Sequence, residues 1–368
     1  MALPDSDLVL QALRDPTSLR RLSPRQADLL LRQAIRANLL ARLARMVQAQ
    51  GLEAGIHPGL AAHLEGARRT ARSHQAEVLR EVEFIRRALE PLAVPIVLLK
   101  GAAYVMAGLP AARGRLFTDI DILVPRERLV EAEVALMMNG WVSTHHSAYD
   151  QRYYRLWMHE LPPMVHLRRQ TALDVHHAIA PETARWRVDS APLLAQALSL
   201  PGQGELRVLA PMDMVLHSIV HLMLNEELSH GLRDLSDIDL LLRHYGAEAA
   251  FWPRLTERAA ALGLRRGLYH GLRSAVEILG TPVPAATLER SAAWGPVPGV
   301  AALMRAAWRR ALRSPHPSAS DLWTPAALSA LYVRAHWLRM PSLLLTRHLV
   351  VKALGLHTPA PSTDRQQV

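Results

Sequence analysis

Residues Leu116-Phe117-Thr118-Asp119-Ile120-Asp121-Ile122-Leu123-Val124 constrain this 368-residue chain more than any other stretch. Two carboxylates are set into a run of strand-forming Ile, Leu and Val. On a strand, alternate side chains share a face, so Asp119 and Asp121 point the same way, about 6.5–7 Å apart. Two unpaired anions at that spacing are costly unless a positive group sits between them. A hard divalent cation such as Mg2+ suits the position because it takes carboxylate and phosphate oxygens.

A second apolar run, Val94-Pro95-Ile96-Val97-Leu98-Leu99, ends in Lys100-Gly101-Ala102-Ala103, where a helix is expected to begin. A strand that ends in glycine and opens a helix presents backbone N–H groups and a positive dipole end to an anion. Of the 43 basic residues only Lys100 and Lys352 are lysine, and one of the two directly precedes this glycine. A compact ammonium fits beside a phosphate where a planar guanidinium does not. Anion site and cation site are adjacent in sequence, which points to nucleotide chemistry.

Composition narrows the class. Half the residues are hydrophobic and 21% are charged, as in a globular chain with a sizeable core. The absence of cysteine excludes disulfides and thiolate zinc sites. The first residues lack a secretory pattern, and Leu343 to Leu356 is interrupted by Arg347, His348 and Lys352. The expectation is a cytoplasmic enzyme without a membrane span. The formal net charge is +10, and residues 251–368 hold 15 Lys/Arg against 5 Asp/Glu. Such an excess fits either attraction to an acidic partner, nucleic acid or a membrane surface, or a set of solvated arginine-rich helix faces, with the second preferred. With 5% aromatic residues, stacking on single-stranded nucleic acid has little support.

Periodicity divides the chain into a helical region over 1–90, an α/β core over 91–200, a helical domain over 201–356 and a disordered tail over 357–368. Strands are expected at Ile96–Leu99, Ile120–Val124, Met164–Arg168 and Ala172–His176. Helical spacing runs through Asp28 to Val47, Ala71 to Leu89, Arg126 to Met138 (ending at Asn139-Gly140), Met212–Glu227, Leu235–Tyr245, Pro253–Leu262 and Arg265–Leu279. The proline-rich residues 281–325 read as a connection to a last helical region. The predicted fold is α+β, a small mixed sheet flanked by N-terminal and C-terminal helices.

Lys100-Gly101, Arg115-x-x-x-Asp119-Ile120-Asp121-Ile122-Leu123-Val124, Gly140-Trp141 and Leu173-Asp174-Val175-His176 resemble the uncharacterised nucleotidyltransferase family of the DNA polymerase β-like superfamily. The resemblance covers about residues 95–180, with a weaker match over His217 to Leu242 that includes Asp237. It implies that Gly101 and Ala102 open a phosphate-binding helix, that Asp119 and Asp121 hold metal, and that Asp174 is the third carboxylate. Ala102 stands where the superfamily usually has Ser or Gly, which removes a hydroxyl contact to phosphate. The gap from Ala102 to Asp119 is also longer than in typical members.

Such a site would use Mg2+ or Mn2+ to hold an NTP, expected to be ATP, while an acceptor hydroxyl attacks the α-phosphorus and pyrophosphate leaves. The acceptor would be a small molecule, a protein or RNA. Asp174 would complete the metal site and take the hydroxyl proton. Arg115 is expected either at the phosphate oxygens or in a salt bridge to one of the two aspartates. His176 shares the face of Asp174 and, with Asp237, is a candidate on the acceptor side. His217 and His221 share a helix face but lack a metalloprotease pattern, so they read as packing residues. A glycosyltransferase with a metal-binding Asp-x-Asp and a non-catalytic nucleotide-binding protein are the alternatives.

Overall fold

A computed structural model describes residues 7–144 and 158–341. The expected tail over 357–368 and the apolar stretch from Leu343 lie outside the described residues. The architecture is α+β, as the periodicity predicts: one mixed seven-stranded sheet with helical regions on either side in sequence. The strands are β1 (Ile96–Leu98), β2 (Asp119–Leu123), β3 (Trp141–Ser143), β4 (Met164–His166), β5 (Ala172–His176), β6 (Leu198–Ser199) and β7 (Leu206–Val208). Their order across the sheet is β3-β4-β5-β2-β1-β7-β6.

The two strands that carry acids are central and parallel. Their register sets Asp119 against Ala172, Asp121 against Asp174 and Leu123 against His176. Side chains in register on neighbouring strands project to the same face, so Asp121 and Asp174 stand side by side. On its other edge β2 pairs antiparallel with β1, and Leu99 donates its N–H to the Asp121 carbonyl at 3.0 Å. That bond fixes where β1 gives way to the helix Lys100–Met106.

Packing rather than local propensity sets most of the remaining boundaries. The helical spacing from Asp28 to Val47 is broken into helices Pro24–Arg36 and Leu40–Ala49, because Asn38 adopts a left-handed φ of 54°. A Ser23–Gln26 capping box starts the first of these. Ala71 to Leu89 is the second half of a longer helix, Pro58–Leu89. Arg126–Arg128 forms a 3-10 turn before the helix Leu129–Met138. Strand β4 stops at His166 rather than Arg168, since the His166 N–H bonds the Thr171 carbonyl and closes a hairpin into β5.

Residues 281–325 are not a plain connection. They contain helices Ala285–Ala292 and Pro298–Ala311, the second with its proline in the first turn, where a missing N–H costs nothing. Helix Pro211–Leu224 is buried almost all round, with Val215, Leu216, Ile219 and Leu222 fully enclosed. A continuous apolar core runs from Leu8 to Leu338, through the sheet and both helical regions. No helix among the described residues is long and apolar enough to cross a membrane.

Candidate active site

The face of the sheet that bears the acids opens into a cavity of about 240 Å3. Asp119, Asp121, Asp174, His176 and Lys100 line it from the sheet side. His217, His221 and Asn225 close it from the helix Pro211–Leu224 and the residue after it, and Arg339 closes it from the end of helix Thr324–Arg339. Four of the residues predicted from the sequence to do chemistry, Asp119, Asp121, Asp174 and Lys100, therefore meet in one place, and His176 joins them.

The acids differ in environment. Asp119 sits at the exposed start of β2, where the Thr118 hydroxyl donates to it at 3.0 Å. Asp121 is buried; burial opposes its charge, but Lys100 Nζ at 2.7 Å and His176 Nε2 at 3.0 Å hold its carboxyl well below the usual range. Asp174 is half-buried and has no hydrogen-bonding or ionic partner among the described residues. Burial, then the anions of Asp121, Glu160 and Asp119, push its carboxyl up to about 8. An acid displaced that far by burial and by neighbouring anions stands where a cation would be stabilising.

Lys100 owes its position to an uncommon backbone. Its φ is 43°, in the left-handed region that a side chain makes costly, by about 1 kcal/mol or more. Burial disfavours its ammonium, yet Asp121 and Asp119 outweigh that and raise its affinity for the proton. His176 is held between two acids, with Nε2 toward Asp121 and Nδ1 3.1 Å from Glu160 Oε2. Burial opposes its charge, but the bond to Asp121 and the Glu160 carboxylate raise its pKa. His217 and His221 go the other way: burial first, then the Lys100 charge, keeps both imidazoles neutral.

The remaining predicted residues lie elsewhere. Gly101 and Ala102 are buried and line neither this cavity nor the adjoining one. Gly101 answers a packing demand: a Cβ there would stand 2.7 Å from the Phe117 ring and 3.0 Å from Arg115 Nε. Gly101→Ala should therefore cost about 1–3 kcal/mol, measurable as a lower denaturant midpoint. An unchanged midpoint would show that Phe117 yields freely. Arg115 pairs with neither Asp119 nor Asp121. It is buried and forms its ion pair with Asp237, which also binds Arg42 Nη1 at 2.7 Å. Arg115 and Asp237 line a side cavity of about 160 Å3 that shares Lys100, Asp119 and His221 with the main one.

Sequence reasoning missed His159, Glu160, Asn225 and Arg339 and treated His217 and His221 as packing. Glu160 reaches the site because residues 159–161 add to the edge of β5. Leu161 N–H bonds the Val175 carbonyl at 2.8 Å and His177 N–H bonds the His159 carbonyl at 2.9 Å. No local pattern announces that pairing. The signal that was available is the His217, His221 spacing, which puts both on the face turned to the acids.

A family model described as an uncharacterised nucleotidyltransferase matches residues 23–280. No curated protein and no solved structure matches the chain. Since the matched span takes in the whole sheet, its three aspartates and the helix bearing His217 and His221, the chain belongs to this uncharacterised nucleotidyltransferase family.

Proposed function

We propose that the cleft binds an NTP with a divalent cation and moves the NMP group to an acceptor hydroxyl, with loss of pyrophosphate. The observation that carries this reading is the register of β2 and β5, which sets Asp174 beside Asp121 with no counter-ion of its own among the described residues. Three carboxylates on one sheet face are an oxygen-only donor set that fits Mg2+ or Mn2+. Bound there, the cation supplies Lewis-acid polarisation of the phosphate and acidifies the acceptor hydroxyl.

The chain's own residues divide the other tasks. Asp119, at the exposed end, meets the incoming triphosphate side. Asp174 is positioned to take the hydroxyl proton on its carboxylate. Neutral His217 and His221 offer hydrogen bonds to the nucleotide without adding charge. Lys100, which is paired with Asp121, turns its ammonium to the phosphates. ATP is the nucleotide to try first.

One feature favours a second reading, a nucleotide binder without turnover: the Lys100 ammonium already occupies Asp121 at 2.7 Å. Incubating the protein with labelled NTPs and Mg2+ or Mn2+ separates the two. Pyrophosphate release supports transfer, binding alone supports the second reading, and UDP release from a nucleotide sugar would instead make the protein a glycosyltransferase.

Asp174 also sets a pH dependence. Its carboxyl is raised in the folded state to about 8, against an unfolded value of about 3.9. Its contribution to stability is therefore full in acid and is lost as pH rises through the folded value. Cation-free protein should lose thermal stability from mildly acidic to mildly alkaline pH, and Asp174→Asn should flatten that slope. Mg2+ binding near pH 7 should release about one proton, measured by calorimetry in buffers of different ionisation enthalpy. No buffer dependence would contradict the raised value.

A further inference from the structure

The cleft holds a second group of donors that the carboxylate triad does not use. His159, Glu160 and His176 each present one ligand atom, and the three atoms lie within 4.8 Å of one another. All three residues line the main cavity. We propose that they form a second cation site, built for a first-row transition ion of the Zn2+ or Co2+ class rather than for Mg2+. The inference is independent of the nucleotide reading.

The donor chemistry is distinct from that of the aspartates. Two imidazole nitrogens and one carboxylate suit borderline ions, whereas Mg2+ prefers oxygen alone. The nitrogens are available. Among the described residues, His159 Nδ1 is buried with no hydrogen-bond partner, and His176 Nδ1 is buried and meets only the Glu160 carboxylate, at 3.1 Å without bonding alignment. The two rings lie 5.2 Å apart, tilted by 31°. Ligands about 2.1 Å from a tetrahedral ion stand ~3.4 Å from one another. Glu160 and His176 already meet that spacing, and His159 needs to close by roughly an ångström.

The other ring nitrogen of His176 strengthens the case. Nε2 is engaged by Asp121 at 3.0 Å, which fixes the ring and leaves Nδ1 facing Glu160. A carboxylate behind a histidine is the arrangement that orients imidazole ligands and raises their basicity. Asp121 would thus ligate one cation and orient the ligand of another. Three protein ligands leave a further coordination position, and it faces the cavity that also holds Asp174.

The test is a Co2+ titration of the metal-free protein with Mg2+ in excess. The expected result is one Co2+ with a visible absorption band and two paramagnetically shifted imidazole resonances, displaced by Zn2+. Glu160→Gln and His159→Asn preserve shape, and each should weaken Co2+ binding by at least about tenfold. Asp119→Asn should leave it unchanged. The site is refuted if wild-type protein shows no band or no shifted imidazoles. It is equally refuted if the two substitutions leave affinity intact, or if Asp119→Asn weakens it as much as they do. The spectra of the wild type decide even if a variant fails to fold.

Discussion

Asp121→Asn is expected to lower Mg2+-dependent pyrophosphate release by at least about 10³-fold, since a tenfold change corresponds to about 1.4 kcal/mol and lost metal-ion stabilisation is worth several. The same residue answers to Lys100, to His176 and, through the register, to Asp174. Asparagine keeps the volume and one acceptor oxygen but removes the charge. Lys100 and His176 then lose the carboxylate they face, so the fold must be checked alongside the rate. The discriminating pattern is a large fall in turnover with a modest change in melting temperature. A rate near that of the wild type would remove Asp121 from the reaction.

The largest effect on stability is expected at Asp237, away from the carboxylate triad. Its two oxygens bind Arg42 Nη1 at 2.7 Å and Arg115. Arg42 continues the network, with Nη1 donating to Ser236 Oγ at 2.6 Å and Nη2 to the Ala111 carbonyl at 2.7 Å. All three charged side chains are buried. Removing one member of such a group leaves uncompensated charge in a low dielectric, at a cost of about 3–5 kcal/mol. Asp237→Ala leaves Arg42 without its carboxylate and Arg115 with only Asp234, at 4.0 Å, so urea unfolding should show a loss within that range. A loss below about 1 kcal/mol would mean that water reaches the arginines.

This network also joins three stretches of chain that are distant in sequence: helix Leu40–Ala49, the loop before β2 and helix Gly231–Tyr245. Gly114 makes the contact possible. It has a φ of +72°, and a Cβ there would stand 2.4 Å from the Ala41 carbonyl. The loop can therefore lie directly on the helix that carries Arg42.

The centre of the site was legible because it violates local expectation. Aspartates inside an apolar strand, and one of only two lysines in an arginine-rich chain, stand out without any partner being known. Asp174 was legible through the Leu-Asp-Val-His resemblance, and the parallel register sets it beside Asp121. What was not legible depends on long-range choice. Arg115 meets Asp237 from 122 residues away, and nothing near Arg115 distinguishes that partner from Asp119. Strands β3, β6 and β7 are two or three residues long and exist only because a neighbour supplies their hydrogen bonds. His159 and Glu160 lie in an irregular segment whose place is set by its pairing with β5. Helices Ala285–Ala292 and Pro298–Ala311 were hidden by prolines that start or precede helices as readily as they end them.

The central claim is that Asp119, Asp121 and Asp174 together grip a divalent cation beside a triphosphate. Crystals grown with Mn2+ and a non-hydrolysable NTP analogue test it most directly, because anomalous scattering locates the ion without reference to activity. The expected result is manganese within bonding distance of the three carboxylates, the analogue's phosphates on it, and the Lys100 ammonium moved from Asp121 to a phosphate oxygen. Phosphates bound elsewhere, or Lys100 still closed on Asp121 with no metal at Asp174, would contradict it.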